Sequence, residues 1–78
     1  MNKIFVEEIF NTSLGKIAIL QFPDNEHPVI GMILRNDANS EWQITGISRG
    51  KHPTKILWGC QIKNNSAEDL KSGDILFY

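Results

Sequence analysis

One cysteine, two histidines and three prolines are all that this chain of 78 residues contains of those types. The lone Cys60 excludes an internal disulfide. It fits a reducing compartment, or a chain that makes no use of disulfides. His27, His52 and Cys60 are too few for a structural zinc site, which takes four such ligands, and no pair of them stands at ligand spacing. No metal or other cofactor is expected. The chain also lacks any Gly-x-x-x-x-Gly-Lys-Ser/Thr loop, so GTP binding by a phosphate-cradling loop is excluded. Charge of one sign is missing too. Eight Lys and Arg against nine Asp and Glu leave a net charge of −1. That argues against a protein that coats nucleic acid with a basic face, but permits a local basic patch. There is no long hydrophobic run. The longest uncharged apolar stretch, near Ile17 to Phe22, is far too short to span a bilayer. The opening residues, Met1 to Glu8, carry charge where a signal peptide needs apolar residues. A soluble, cytoplasmic protein is expected, with no membrane partner.

What is present is an ordinary globular composition. A hydrophobic content of 41% is too high for disorder. The length makes residues 1–78 one domain. So short a chain buries only about 60% of the surface it exposes when unfolded. Closing a sheet into a barrel, or pairing with another chain, offsets that weakness by removing sheet edges.

Turn signals recur every eight to twelve residues or so, the spacing of an all-β chain. Ile4 to Phe10 is rich in β-branched and aromatic residues, and Asn11 to Gly15 is a loop. Lys16 to Phe22 carries Ile17, Ile19 and Gln21 on one face and Ala18, Leu20 and Phe22 on the other. Both faces are apolar at several points, as in a strand buried on two sides. Pro23 to Pro28 is a turn bracketed by prolines. Val29 to Arg35 reads as a third strand, with Gly31 marking a bulge or a barrel corner. After the polar turn Asn36 to Ser40, Glu41 to Ser48 alternates: Trp42, Ile44 and Gly46 one way, Gln43, Thr45 and Ile47 the other. A loop from Arg49 to Thr54 precedes a fifth strand over Lys55 to Lys63.

The closing segment is the most specific. A polar turn at Asn64 to Ser66 leads to one helical turn over Ala67 to Lys71, with Ser66 as cap and Asp69 as its partner. Leu70 is the only large apolar residue there and is expected to plug the barrel end. Gly73 supplies an unusual backbone angle before the last strand, Ile75 to Tyr78. The expected architecture is all-β: a small six-stranded barrel of Greek-key type, with one short helical turn before the last strand.

Three segments resemble domain 2 of the translational GTPases, the accessory barrel of elongation factor Tu and its relatives. Val6-Glu7-Glu8-Ile9-Phe10 is similar to that family's Ile-Glu-Asp-Val-Phe strand. Leu14 to Leu20 sits where the family has Arg-Gly-Thr-Val-Val-Thr-Gly. Trp58 to Leu76 follows its closing strand, helical turn and Gly-Asp/Gln-Val-Leu ending. The family's Gly-Arg-Gly before the second strand is Ser13-Leu14-Gly15 here, and the glycine after that strand is replaced by Gln21 to Asp24. In the family this face helps to hold the aminoacyl end of a charged tRNA. The resemblance therefore implies Glu7, Glu8 and Phe10 as ligand contacts, a carboxylate for an amine and an aromatic for a base. The plainer reading is an acidic strand end with a core phenylalanine.

Arg49, Lys51, His52 and Lys55 gather charge in one loop and are candidate contacts for an anion or RNA; the plainer reading is a solvated loop. His27 is expected to be an exposed turn residue and Cys60 a small core residue. No family signature supports a nucleophile arrangement of Cys60, His52 and Asp74. Glu7 and Glu8 fall on opposite faces of a strand, so they do not act jointly as acid and base. Trp42 and Trp58 read as core or interface aromatics, and Phe77 and Tyr78 as a last barrel rung or a pairing edge. The expectation is a non-catalytic binding module. Its partner is a protein or an RNA end, with tRNA or ribosomal RNA as the RNA class. The alternative is an immunity or antitoxin protein masking a basic toxin with Glu7, Glu8, Asp24, Glu26, Glu68 and Asp69.

Overall fold

Apolar residues at every second position need a covered face, and six short strands cover theirs by closing on themselves. The computed structural model describes residues 2–13, 15–49, 56–65 and 69–78, with the side chain of residue 49 left out. The strands are β1 (Lys3–Thr12), β2 (Gly15–Gln21), β3 (Ile33–Arg35), β4 (Glu41–Arg49), β5 (Trp58–Asn64) and β6 (Ile75–Phe77). All pairings are antiparallel, and the strand order β1-β2-β5-β4-β3-β6 returns to β1 as a closed barrel. The hairpin-linked strands β3, β4 and β5, with β6 returning beside β3, form a Greek key.

Every strand contributes to the interior. Ile4 and Val6, Ala18 and Leu20, Leu34, Trp42 and Ile44, Cys60 and Ile62, and Leu76 are buried together. Phe22 closes one end, where its ring meets that of Tyr78 at 5.5 Å. Leu70 enters as expected, 3% exposed. Its neighbour Asp69 pairs with Lys16 at 3.3 Å. The helical turn expected over Ala67 to Lys71 lies partly outside the described residues, and residues 69–71 are not helical.

The third strand is shorter than its composition implies. Only Ile33–Arg35 is strand. Gly31, at φ 92°, lets the chain turn, and the Met32 N–H donates to the Val29 carbonyl at 3.0 Å. That turn is stitched to β4 by Gly31 N–H to Ile44 O at 2.7 Å, and it leaves Val29 and Ile30 exposed. The fifth strand likewise starts at Trp58 rather than at the expected Lys55.

Two bulges break the simple alternation, and neither is at Gly31. One extra residue stands between Val6 and Glu8 in β1 and another between Ile44 and Gly46 in β4. The second corrects the expected facing of β4. Trp42 and Ile44 point inward; past the bulge, Ile47 pairs with the interior residue Cys60 yet is 36% exposed, and Gly46 pairs with Gln61 on the outside. Trp42 Nε1 is buried without a hydrogen-bond partner.

In the core cluster of the described residues, Leu70 is the one delivered by a connection rather than by a strand or its immediate end. Leu70→Ala is expected to lower the unfolding free energy by about 3 kcal/mol, the cost of an unfilled core site. Urea denaturation followed by tryptophan fluorescence measures it; a loss under about 1 kcal/mol would show that the barrel end closes without this plug.

Candidate functional site

The bulge in β1 decides which side chains reach solvent. Strict alternation from Ile4 and Val6 would carry Glu8 and Phe10 into the barrel. With Glu7 as the extra residue, Ile9 turns toward the core instead, and Glu8 and Phe10 turn out. Phe10 is 49% exposed, so it is not a core phenylalanine. Glu7 is half-buried at the bulge, so the period-of-two argument that set it opposite Glu8 does not hold.

The bend before β6 holds this bulge in place. Ser72 Oγ donates to the Glu7 carbonyl at 2.7 Å, Gly73 N–H to the Val6 carbonyl at 2.8 Å, and Val6 N–H to the Asp74 carbonyl at 3.0 Å. Gly73 has the positive φ, 90°, expected of it. Asp74 braces the bend by accepting from the Lys71 N–H at 2.8 Å.

Cross-strand register then lays out the outer face. Phe10 pairs with Ile17, Ile17 with Gln61, and Gln61 with Gly46. The neighbouring row runs Glu8, Ile19, Gly59, Ser48. Phe10, Ile17 and Ile19 therefore form an apolar ridge, with Glu8 beside it and glycines beyond it. Ile17 and Ile19 were read as buried on a two-sided strand; they are partly buried on the outside. A Cβ on Gly59 would sit 2.8 Å from Ser48 Oγ and 3.6 Å from Ile19 Cδ1.

The other sequence candidates separate. Arg49 ends β4 opposite Trp58, while Lys51, His52 and Lys55 lie outside the described residues. His27 is exposed, as expected. Phe77 is a last barrel rung rather than a free edge, because it pairs with Lys3 on one side and Arg35 on the other. No group of three or more His, Cys, Asp or Glu that could hold a metal occurs among the described residues. No described helix is long and apolar enough to cross a membrane.

A second concavity lies at the far end of β2. Gln21, Phe22 and Pro23 are shared by a cleft of about 770 Å³, which reaches Asp24, Glu26, Ile56 and Trp58, and an open groove of about 480 Å³, which reaches Lys3 and Phe5. The alternation of β1 carries a signal for this surface, since Phe5 falls between the inward Ile4 and Val6. At this end the Tyr78 phenol is pushed up, first by burial and then by the negative charge of Glu26.

Compared with protein-family models, with curated proteins and with solved structures, the chain has no significant match.

Two outcomes follow from this geometry. Gly59→Ala is expected to cost about 1–2 kcal/mol by overpacking, and a second change, Ser48→Ala, to restore part of it. Thermal denaturation of the single and double variants checks the pair. Burial pushes the Cys60 thiol from 9.0 to about 12. The folded thiol therefore stays neutral while the unfolded chain ionises first. Its contribution to stability is whole below pH 9.0 and is lost as pH rises toward about 12. Labelling near pH 8 with an aromatic disulfide reagent is expected to be on the order of 100-fold slower in the native protein than in denaturant.

Proposed function

We propose that this barrel is a non-catalytic binding module that docks a protein partner on the outer face of β1 and β2, in the cytoplasm. The observation that carries the reading is the exposure of Phe10, at 49%, on a rigid strand beside Ile17 and Ile19. Exposed aromatics on a fixed scaffold are the anchors around which interfaces concentrate their energy. Glu8, two residues away on the same face, adds charge that selects among partners more than it adds affinity. The non-catalytic part of the proposal is supported by Cys60, whose thiol is buried and held neutral.

An RNA end is the second reading. It is favoured by Glu8 and Phe10 sharing one exposed face, where a carboxylate suits an amine and a ring suits a base. The resemblance to the accessory barrel of elongation factor Tu supports the same pairing.

Of the acidic residues that the toxin-masking alternative draws on, Glu68 lies outside the described residues, and the others do not all share a face with Glu8. Asp24 and Glu26 line the cleft at the far end of β2, and Asp69 is paired with Lys16.

Tagged protein used to capture partners from native lysate, with and without nuclease, tests the proposal. Capture of one protein at near-equal amount, insensitive to nuclease, is expected. Phe10→Ser should weaken it at least about tenfold, while Val29→Ser, an equally exposed change elsewhere, should not. Capture that vanishes with nuclease would replace the protein by an RNA. Capture indifferent to Phe10→Ser would overturn the site.

A further inference from the structure

The cleft at the far end of β2 is unlike the Phe10 face. Its walls are Pro23 to His27 on one side and Ile56 and Trp58 on the other. Asp24 and Glu26 stand in it, and neither has an ion-pair partner among the described residues. Trp58 is half-buried there, packed against the core and also lining the cleft. A carboxylate pair beside an indole is the chemistry that recognises a cationic side chain, through ion pairing and attraction to the ring face.

The cleft does not stop at the turn. Gln21, Phe22 and Pro23 form a saddle from which the surface continues into the groove over Phe5. Phe5 pairs with Gln21 on one side and Ile75 on the other, and the Phe5 and Ile75 side chains are 42% and 43% exposed. Lys3 closes this end of the groove and has no ion-pair partner among the described residues. The surface therefore runs from a cleft where Asp24 and Glu26 stand with His27, across a polar amide at Gln21, to apolar, and ends in one positive charge at Lys3. Cross-strand neighbours stand about 5 Å apart and extended chain advances about 3.3 Å per residue, so the span suits a few residues of peptide.

We propose that this end of the barrel is a peptide-docking groove that takes an extended segment of a partner protein, with a Lys or Arg between Trp58, Asp24 and Glu26 and an apolar residue two or three positions away over Phe5. The complementarity of charge commits the groove to a basic segment. The closed barrel excludes docking by strand addition, because β6 already pairs on both sides. Recognition must then come from side chains and from the Gln21 amide. The proposal stands apart from the Phe10 face, which lies at the opposite end of the β1–β2 hairpin.

Selection of a random hexapeptide display library against the whole protein tests it. Selected peptides are expected to carry Lys or Arg two or three positions from an aliphatic or aromatic residue. Titrated as free peptides, they should change tryptophan emission through Trp58, since Trp42 is fully buried away from the groove. The paired change Asp24→Asn and Glu26→Gln should weaken them at least about tenfold, and Phe10→Ser should leave them unchanged. Asp24→Lys, repeated through the same selection, should shift the enriched residue from basic to acidic. A selection that enriches no basic residue, or yields no binder, overturns the proposal. So does binding indifferent to the paired change, or an unchanged preference with Asp24→Lys. Equal loss with Phe10→Ser would place the peptide on the other face and overturn this site alone.

Discussion

Closure of the sheet through β6 is the constraint on which the rest depends. This strand is three residues long, yet it pairs with β1 over Lys3 to Phe5 and meets β3 at Arg35. Past its end the backbone pairing continues, with Asn2 and Tyr78 each donating to the other's carbonyl at 3.1 Å. Without β6, β1 and β3 would both be open edges, and Ile4 and Leu34 would lose the cover that Leu76 helps to give them. In a chain this short the core leaves little surplus over the entropy of ordering, so a pairing that removes both edges at once matters more than its few hydrogen bonds suggest.

The same closure generates the candidate face. Strands bent tightly enough to close must shed their flat alternation somewhere, and β1 and β4 do so with one extra residue each. In β1 the consequence is chemical. A single inserted position changes the buried set from Glu8 and Phe10 to Ile9, and so places a carboxylate and an aromatic ring in solvent. The bend at Ser72 to Asp74 holds that bulge and also leads directly into β6. The element that closes the barrel and the element that fixes the exposed ring are thus one continuous segment.

Much of this was legible in the chain. Turn residues separated the six strands, Leu70 announced itself as the only large apolar residue of its segment, Cys60 read as a small core residue, and Trp42 as a core or interface aromatic. The illegible parts are breaks in the strand pattern. The bulge at Glu7 carries no glycine or proline to mark it, and the one at Thr45 is flanked by Gly46, which reads in sequence as one more step of the alternation. Gly31 was visible as a break, but Val29, Ile30 and Met32 look like strand by composition. Only the turn they make with Gly31 at φ 92° shows why they are not. Phe10 was read two ways because one residue of register separates core from surface.

The two surfaces follow from a division of labour between the faces of each strand. Inward positions on the six strands are filled almost wholly by aliphatic residues and carry the stability. Cys60 and Trp42 are the exceptions among them, and the unpaired N–H of Trp42 costs about 1–3 kcal/mol, offset by the volume that one indole fills at the centre. Outward positions are free of that burden, and here they are not uniformly polar. Phe10, Ile17 and Ile19 occupy one end of the β1–β2 hairpin, and Phe5 and Ile75 the other. Scattered exposed apolar residues are normal on any surface. These are not scattered, since register joins them into cross-strand rows, one beside Glu8 and the other beside Lys3. Rows of exposed apolar side chains on a fixed sheet are the kind of surface that a binding partner covers, and both proposals rest on them.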